Sequence, residues 1–193
     1  MKVDLKKTLF ILPNLFTLSS VLCGYYAILI LSDQPTNDDF YRSALLIVFA
    51  LFFDGIDGRV ARLTKTQTAI GVQLDSLADV ISFGVAPAIL VYYWSLAELG
   101  TAGMLIGFVF VASGAIRLAR FNVAATGDDG RPHAPGKYTQ GLPIPAAAGI
   151  LISIVVANTL TGKLPFSPFL ISVLVITLSV FMVSAMPFRS FKD

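Results

Sequence analysis

Six apolar runs fill most of this 193-residue chain. The length of each run is close to the roughly 20 residues that a helix needs to cross the hydrocarbon core of a bilayer. Each run is too long to be a strand of a membrane barrel. Hydrophobic residues make up 55% of the chain and charged residues only 13%, which is not the balance of a soluble domain. We therefore predict an all-α integral membrane protein with one domain over residues 1–193. The six transmembrane helices are expected at about 10–32, 41–62, 70–95, 102–123, 142–161 and 167–186.

Four carboxylates stand in the second and third runs, together with several small residues. On a helix, the first group forms one face because its members follow an i, i+3, i+4, i+7 pattern: Asp54, Asp57, Gly58 and Ala61. The second group stacks at i, i+4, i+8: Gly71, Asp75 and Asp79. If the two faces meet, four acids converge with no large side chain between them.

Converging carboxylates repel one another unless cations neutralise them. Oxygen ligands favour hard divalent ions such as Mg²⁺ or Mn²⁺. A two-metal site beside a groove of small residues suits phosphate chemistry, where metal ions stabilise the attacking and leaving oxygens. The alternative is a solvated, charged helix end. The apolar residues of 44–53 and 80–90, which flank the acids, argue against that alternative.

The acids belong to a longer pattern, D-x-x-D-G-x-x-A-R, eight residues, then G-x-x-x-D-x-x-x-D. This is the signature of the CDP-alcohol phosphatidyltransferase family, and the chain resembles that family at every position of it. The matching residues are Asp54, Asp57, Gly58, Ala61, Arg62, Gly71, Asp75 and Asp79. Four further blocks look like the phosphatidylserine synthase branch of the family: residues 12–17, 79–87, 114–122 and 141–146.

The resemblance implies the fold of that family and transfer of a phosphatidyl group from CDP-diacylglycerol to L-serine, with release of CMP. It implies two Mg²⁺ or Mn²⁺ ions bound by Asp54, Asp57, Asp75 and Asp79, with Asp79 also taking the proton of the serine hydroxyl. The residues expected to bind CDP are Asn14, Thr17, Gly58, Ala61, Arg62 and Gly71. The resemblance also suggests a homodimer among membrane lipids, and we expect no nucleic acid partner.

Two groups of residues in this scheme have competing interpretations. Pro13 and Asn14 are typical of a helix start, with proline in the first turn, whereas the resemblance places Asn14 and Thr17 at the nucleotide. Arg117 and Arg120 are i, i+3 neighbours that either extend to the lipid headgroups or hold an anion of the acceptor or lipid. The candidates for this acceptor or lipid-phosphate site are Arg117, Arg120, Asn122 and Lys137.

The acceptor is less constrained than the reaction class. Thr139 stands where relatives often have an aromatic residue. Glycerol phosphate, inositol phosphate or choline is therefore an alternative acceptor, and CDP-archaeol an alternative donor. An ion-coupled transporter would explain the intramembrane acids, but not the spacing of the Gly, Ala and Arg residues.

The distribution of Lys and Arg predicts the orientation of the chain in the membrane. Of the 14 Lys and Arg residues, only Arg42 and Lys163 fall on the side opposite the motif, so the positive-inside rule places the active site in the cytoplasm. The polar segment 126–140 is expected to be a lid over the site. Pro87 is expected to kink the third span, and the threonines of 63–68 to cap a helix.

Overall fold

The computed structural model describes residues 5–64, 68–126, 138–162 and 167–189, and within these ranges the chain is almost entirely helical. The α-helices are α1 (Leu5–Ile30), α2 (Asn37–Thr64), α3 (Ala69–Asp79), α4 (Ala86–Trp94), α5 (Thr101–Thr126), α6 (Ile144–Thr161) and α7 (Pro168–Val183). A π-helix, Val80–Val85, joins α3 to α4, and a 3₁₀ turn, Leu96–Leu99, precedes α5. Two short strands, β1 (Tyr138–Gln140) and β2 (Pro187–Arg189), pair in an antiparallel sheet.

The helices coincide with the six predicted apolar runs, and α3, the π-helix and α4 together occupy the third. Four segments are long and apolar enough to cross a bilayer: Pro13–Ile30, Ile70–Trp94, Thr101–Ala124 and Ile144–Thr161. Helix α2 is not among them and carries Asp54, Asp57 and Arg59; α7 is apolar but has only 16 residues. The chain is thus an integral membrane protein, and the count of six spans stays a prediction.

Small residues bring α1 and α2 close together. Ala27, Ala44 and Ala50 are each 0% exposed, and the buried Ser43 hydroxyl donates to the Ala27 carbonyl at 3.1 Å. Such packing is typical of membrane helices, in which small side chains let backbones approach and hydroxyls bond across the interface. Large apolar side chains such as Phe52 and Phe108 point outward, as lipid-facing residues do.

The third span changes its helical form just before Pro87. The sequence predicts a kink at Pro87, and the structure places the π-helix Val80–Val85 in the turn that precedes it, with Pro87 in the first turn of α4. Proline has no N–H to donate to the preceding turn, and a π-helix contains one more residue per hydrogen-bonded ring than an α-helix. The face that carries Asp79 is therefore rotated relative to the face of α4.

The π-helix lies directly against α1. The Ser82 hydroxyl donates to the Ser20 carbonyl at 3.1 Å, and the Ser20 hydroxyl is 3.3 Å from that of Ser82. A Cβ atom added to Gly24 would lie 2.9 Å from the Ser82 Cα. Both serines are buried. This contact fixes the segment that immediately follows Asp79.

The short sheet was not predicted from the sequence. It pairs Tyr138 with Arg189 and Gln140 with Pro187, and thereby joins the chain before α6 to the chain after α7. The predicted lid, 126–140, includes residues 127–137, which lie outside the described residues. Lys137 lies there too.

The contact between α1 and the π-helix can be tested with Gly24→Ala. The added methyl group would collide with the Ser82 backbone, and overpacking of this kind costs about 1–3 kcal/mol. We expect a clear fall in Tm for the detergent-solubilised protein.

Gly149→Ala is the matched control, because Gly149 is also inside a helix and its Cβ would meet nothing within 4 Å. We expect its Tm to be unchanged or slightly higher, since alanine favours a helix. Equal melting temperatures for the two variants would contradict the close approach.

Candidate metal and substrate site

Three of the four motif acids form one cluster. Asp54 and Asp57 come from the second half of α2, and Asp75 comes from α3. One carboxylate oxygen from each lies within 4.8 Å of those of the other two. The 3.6-residue period of the two helices accounts for the arrangement, because it places Asp54 and Asp57 on the same face of α2.

Asp79 stands at the edge of this cluster, where α3 meets the π-helix. Its carboxyl group interacts electrostatically with all three other acids and shares a hydrogen bond with Asp54. Within the described residues, its Oδ1 is buried and has no hydrogen-bond partner. An unpaired buried oxygen costs free energy, and a ligand that bonded to this oxygen would remove that cost.

The cluster fits divalent cations. All the ligands it offers are carboxylate oxygens, which suit Mg²⁺, Mn²⁺ or Ca²⁺ better than thiophilic metals. Several carboxylates within one partly buried site also need positive charge for their mutual repulsion to be overcome. The buried Oδ1 of Asp79 adds a further oxygen without a partner of its own.

Helix α1 contributes the two polar residues predicted to bind CDP. The buried Thr17 hydroxyl is 2.6 Å from Asp57 Oδ2. Asn14 lies beside α3, since a Cβ on Gly71 would be 3.5 Å from Asn14 Oδ1. The helix-start interpretation of Pro13 is wrong, because α1 begins at Leu5 and Pro13 lies inside it.

The small residues of the motif lie where α2 and α3 approach the cluster. Gly58 follows Asp57 on α2 and is half-buried. Gly71 donates its N–H to Thr68 Oγ1 at 2.9 Å, which confirms the predicted threonine cap of α3. Ala61 and Arg62 belong to α2, but their side chains lie outside the described part.

Arg117 and Arg120, one turn apart on α5, have different surroundings. Arg117 is 8% exposed, interacts electrostatically with Asp79, and donates from Nε to the Gly141 carbonyl at 3.4 Å. Arg120 is exposed and donates from Nη1 to the Val183 carbonyl at 3.0 Å, at the end of α7. A cation there favourably meets the negative end of the helix dipole. The structure therefore brings Arg117, and not Arg120, to the carboxylates.

Asn122 links α5 to α3. Its Nδ2 donates to Ser76 Oγ at 2.9 Å, and the Ser76 hydroxyl is 3.1 Å from the Val72 carbonyl. Ser76 follows Asp75, so this bond holds the part of α3 that carries a cluster acid. Sequence reasoning did not single out Ser76, since a lone serine within a helix gives no signal of its partner.

Gly141 occupies a position that accepts no side chain. Its φ is +77°, and a Cβ there would collide with the Met182 carbonyl oxygen. Its N–H donates to the Met186 carbonyl at 3.0 Å, while its own carbonyl accepts from Arg117. Glycine readily adopts positive φ. Gly141 thus connects the chain after α7 to the one arginine that we find beside the described cluster.

Gly141→Ala tests this connection. Alanine would add the strain of a left-handed conformation and a collision with the Met182 carbonyl. We expect a fall in Tm and loss of the position of Arg117.

Gly162→Ala provides the control for backbone strain alone, because Gly162 has φ +59° and open space around its Cβ position. That strain is about 1–2 kcal/mol. Equal losses of stability in the two variants would contradict the close approach of Gly141 to the Met182 carbonyl.

Comparison with known proteins shows similarity to one family over most of the chain. The family model of the CDP-alcohol phosphatidyltransferases matches residues 10–187. A CDP-diacylglycerol–serine O-phosphatidyltransferase from Helicobacter pylori is 40% identical over 95% of this chain and 74% of its own length. An archaetidylserine synthase from Methanothermobacter thermautotrophicus is 38% identical over 96% of this chain and 72% of its own length. A CDP-diacylglycerol–serine O-phosphatidyltransferase from Saccharomyces cerevisiae is 35% identical over 74% of this chain and 52% of its own.

Proposed function

Because this chain belongs to the CDP-alcohol phosphatidyltransferase family, we propose that it transfers the phosphatidyl group of CDP-diacylglycerol to L-serine and releases CMP. The observation that carries this proposal is the convergence of Asp54, Asp57 and Asp75 beside the buried, unpartnered oxygen of Asp79. Such a site suits substitution at a phosphate group, in which negative charge must be held on both sides of the reacting phosphorus.

The names of the relatives support serine as the acceptor. The relatives from H. pylori, M. thermautotrophicus and S. cerevisiae all have serine in their names, at 35–40% identity. The lipid part of those names differs, and the archaeal relative is almost as similar as the bacterial one. CDP-archaeol is therefore the second candidate donor, with the same acceptor and the same chemistry.

Each acid has a role in this proposal. Asp54, Asp57 and Asp75 would hold two Mg²⁺ or Mn²⁺ ions, with Asp79 as a further ligand. The ions, when bound, neutralise the pyrophosphate and stabilise the CMP leaving group. Asp79 accepts the proton of the serine hydroxyl. The serine oxygen forms a bond to the β-phosphorus, and the bond from that phosphorus to the bridging oxygen of CMP breaks.

Other residues bind and orient the substrates. Arg117 offers a guanidinium beside Asp79, where it can pair with the serine carboxylate or the lipid phosphate. Asn14, Gly58 and Gly71 border the nucleotide groove. The proposal also assigns Ala61 to the groove, Arg62 to phosphate charge, and Arg120, Asn122 and Lys137 to the acceptor side.

The proposal places the site on the cytoplasmic side of the membrane. Its support is the distribution of Lys and Arg, since only Arg42 and Lys163 of 14 such residues fall on the opposite side. CDP-lipid would enter sideways from the bilayer, between helices. A homodimer belongs to this proposal on the family resemblance alone.

The assay that tests the function is CMP release by the purified protein with CDP-diacylglycerol and Mn²⁺ or Mg²⁺, with and without L-serine. We expect release that requires both serine and the metal, together with a new aminophospholipid. Parallel reactions with CDP-archaeol distinguish the two donors, and an excess of chelator should abolish release in all of them.

Two results would overturn parts of the proposal. Release with glycerol phosphate, inositol phosphate or choline, but not with serine, would keep the reaction class and reject the acceptor. No release with any alcohol would reject the enzyme, and ion-coupled uptake would then favour a transporter.

Asp79→Asn tests the role of the fourth acid. Asparagine keeps the shape of the side chain but cannot accept the proton, and loss of a general base lowers turnover by roughly 10²–10⁴-fold. We expect turnover to fall by at least about 100-fold, with Tm and CDP-lipid binding largely retained.

The control is Asp38→Asn, because Asp38 is an exposed acid in the first turn of α2. It lies at the opposite end of α2 from Asp54 and Asp57. It should leave turnover unchanged. Turnover near the wild-type value in Asp79→Asn would exclude Asp79 as the base.

A further inference from the structure

The Thr17 hydroxyl lies between two acceptors inside the protein. It is 2.6 Å from Asp57 Oδ2 and 3.1 Å from the Pro13 carbonyl oxygen. A hydroxyl has one hydrogen to donate, and a carboxylate at the shorter distance is the stronger acceptor. Thr17 and Asp57 are each 4% exposed. The hydroxyl is therefore committed to Asp57 and has little surface for a nucleotide.

We infer that Thr17 is a positioning residue for cation binding, which holds the Asp57 carboxylate in the orientation that places it with Asp54 and Asp75. This inference rests on the proposed metal site, and it replaces the direct contact with CDP that the family resemblance implies for Thr17. A metal ligand whose orientation is fixed by a hydrogen bond needs less reorganisation to bind the ion.

The position of Thr17 on α1 supports this role. Thr17, Ser20 and Gly24 are spaced i, i+3, i+7 and so lie on one face of α1. Ser20 and Gly24 contact Ser82 of the π-helix, and Thr17 contacts Asp57 of α2. A single face of α1 therefore orients Asp57 and also supports the segment after Asp79.

The test is direct Mn²⁺ binding to the purified full chain in detergent, without substrate. Binding is followed by the loss of the free-Mn²⁺ electron paramagnetic resonance signal and by the Mn²⁺ dependence of Tm. Thr17→Val removes the hydroxyl and keeps the shape of the side chain. We expect the Kd for Mn²⁺ to rise by roughly 10–100-fold, the effect of removing a hydrogen-bond partner of a metal ligand.

Two variants show whether the hydroxyl itself is responsible. Thr17→Ser keeps the donor and should restore a Kd near that of the wild type. Thr177→Val is the matched control: the Thr177 hydroxyl, like that of Thr17, lies close to the carbonyl four residues earlier, at 2.7 Å, but it is exposed on α7 and far along the chain from the motif. Its Mn²⁺ Kd should not change. Thr17→Ala serves as a second variant without the hydroxyl if Thr17→Val does not fold.

A second measurement separates positioning from nucleotide contact. At saturating Mn²⁺, the KM for CDP-diacylglycerol should be nearly unchanged in Thr17→Val. An unchanged Mn²⁺ Kd with a raised KM would overturn the inference and favour contact with the nucleotide. If the wild type itself binds no Mn²⁺, both this inference and the proposed metal site fail; if it binds and Thr17→Val binds equally well, only the role of Thr17 fails.

Discussion

The close approach of α1 to the other helices is the constraint on which the site depends. Asp57 and Asp79 belong to different elements. Helix α1 contacts Asp57 through Thr17, and it contacts the segment after Asp79 through the bond from Ser82 to Ser20. Gly24 makes this possible because any side chain there would meet the Ser82 backbone. A helix that carries none of the four acids thus contacts both of the segments that carry Asp57 and Asp79. This packing opposes the separation that the mutual repulsion of the acids favours.

The site carries more negative than positive charge among the described residues. Four carboxylates face one another across partly buried surfaces, and Arg117 is the described cation whose charge reaches Asp79. One guanidinium cannot balance four ionised acids, and in the proposed mechanism the remaining positive charge comes from divalent cations. The buried, unpartnered oxygen of Asp79 costs the folded protein stability, and in the proposed mechanism a bound cation would give it a partner.

Much of this architecture follows from patterns that are visible in the sequence. Runs of about 20 apolar residues predict the helices, and the i, i+3 spacing of Asp54 and Asp57 is enough to place them on one face of a helix. The contact of Gly24 with Ser82 could not be predicted, because small residues within an apolar run carry no information about their partner. From the sequence, Arg117 and Arg120 are equally good candidates for the acceptor or lipid-phosphate site. They differ in the structure because one reaches the Gly141 carbonyl and the other that of Val183, and side-chain chemistry does not reveal where backbone carbonyls will lie.

The two sides of the site are held by separate sets of helices. The carboxylates are positioned by α1, α2 and α3, whereas Arg117 is positioned by Gly141 and, through it, by the chain after α7 and the β1–β2 pair. Asn122 and Ser76 connect the two sets near Asp75. If the acceptor binds beside Arg117, as we propose, substitutions in the α5–α7 region would alter its pocket while Asp54, Asp57 and Asp75 keep their spacing.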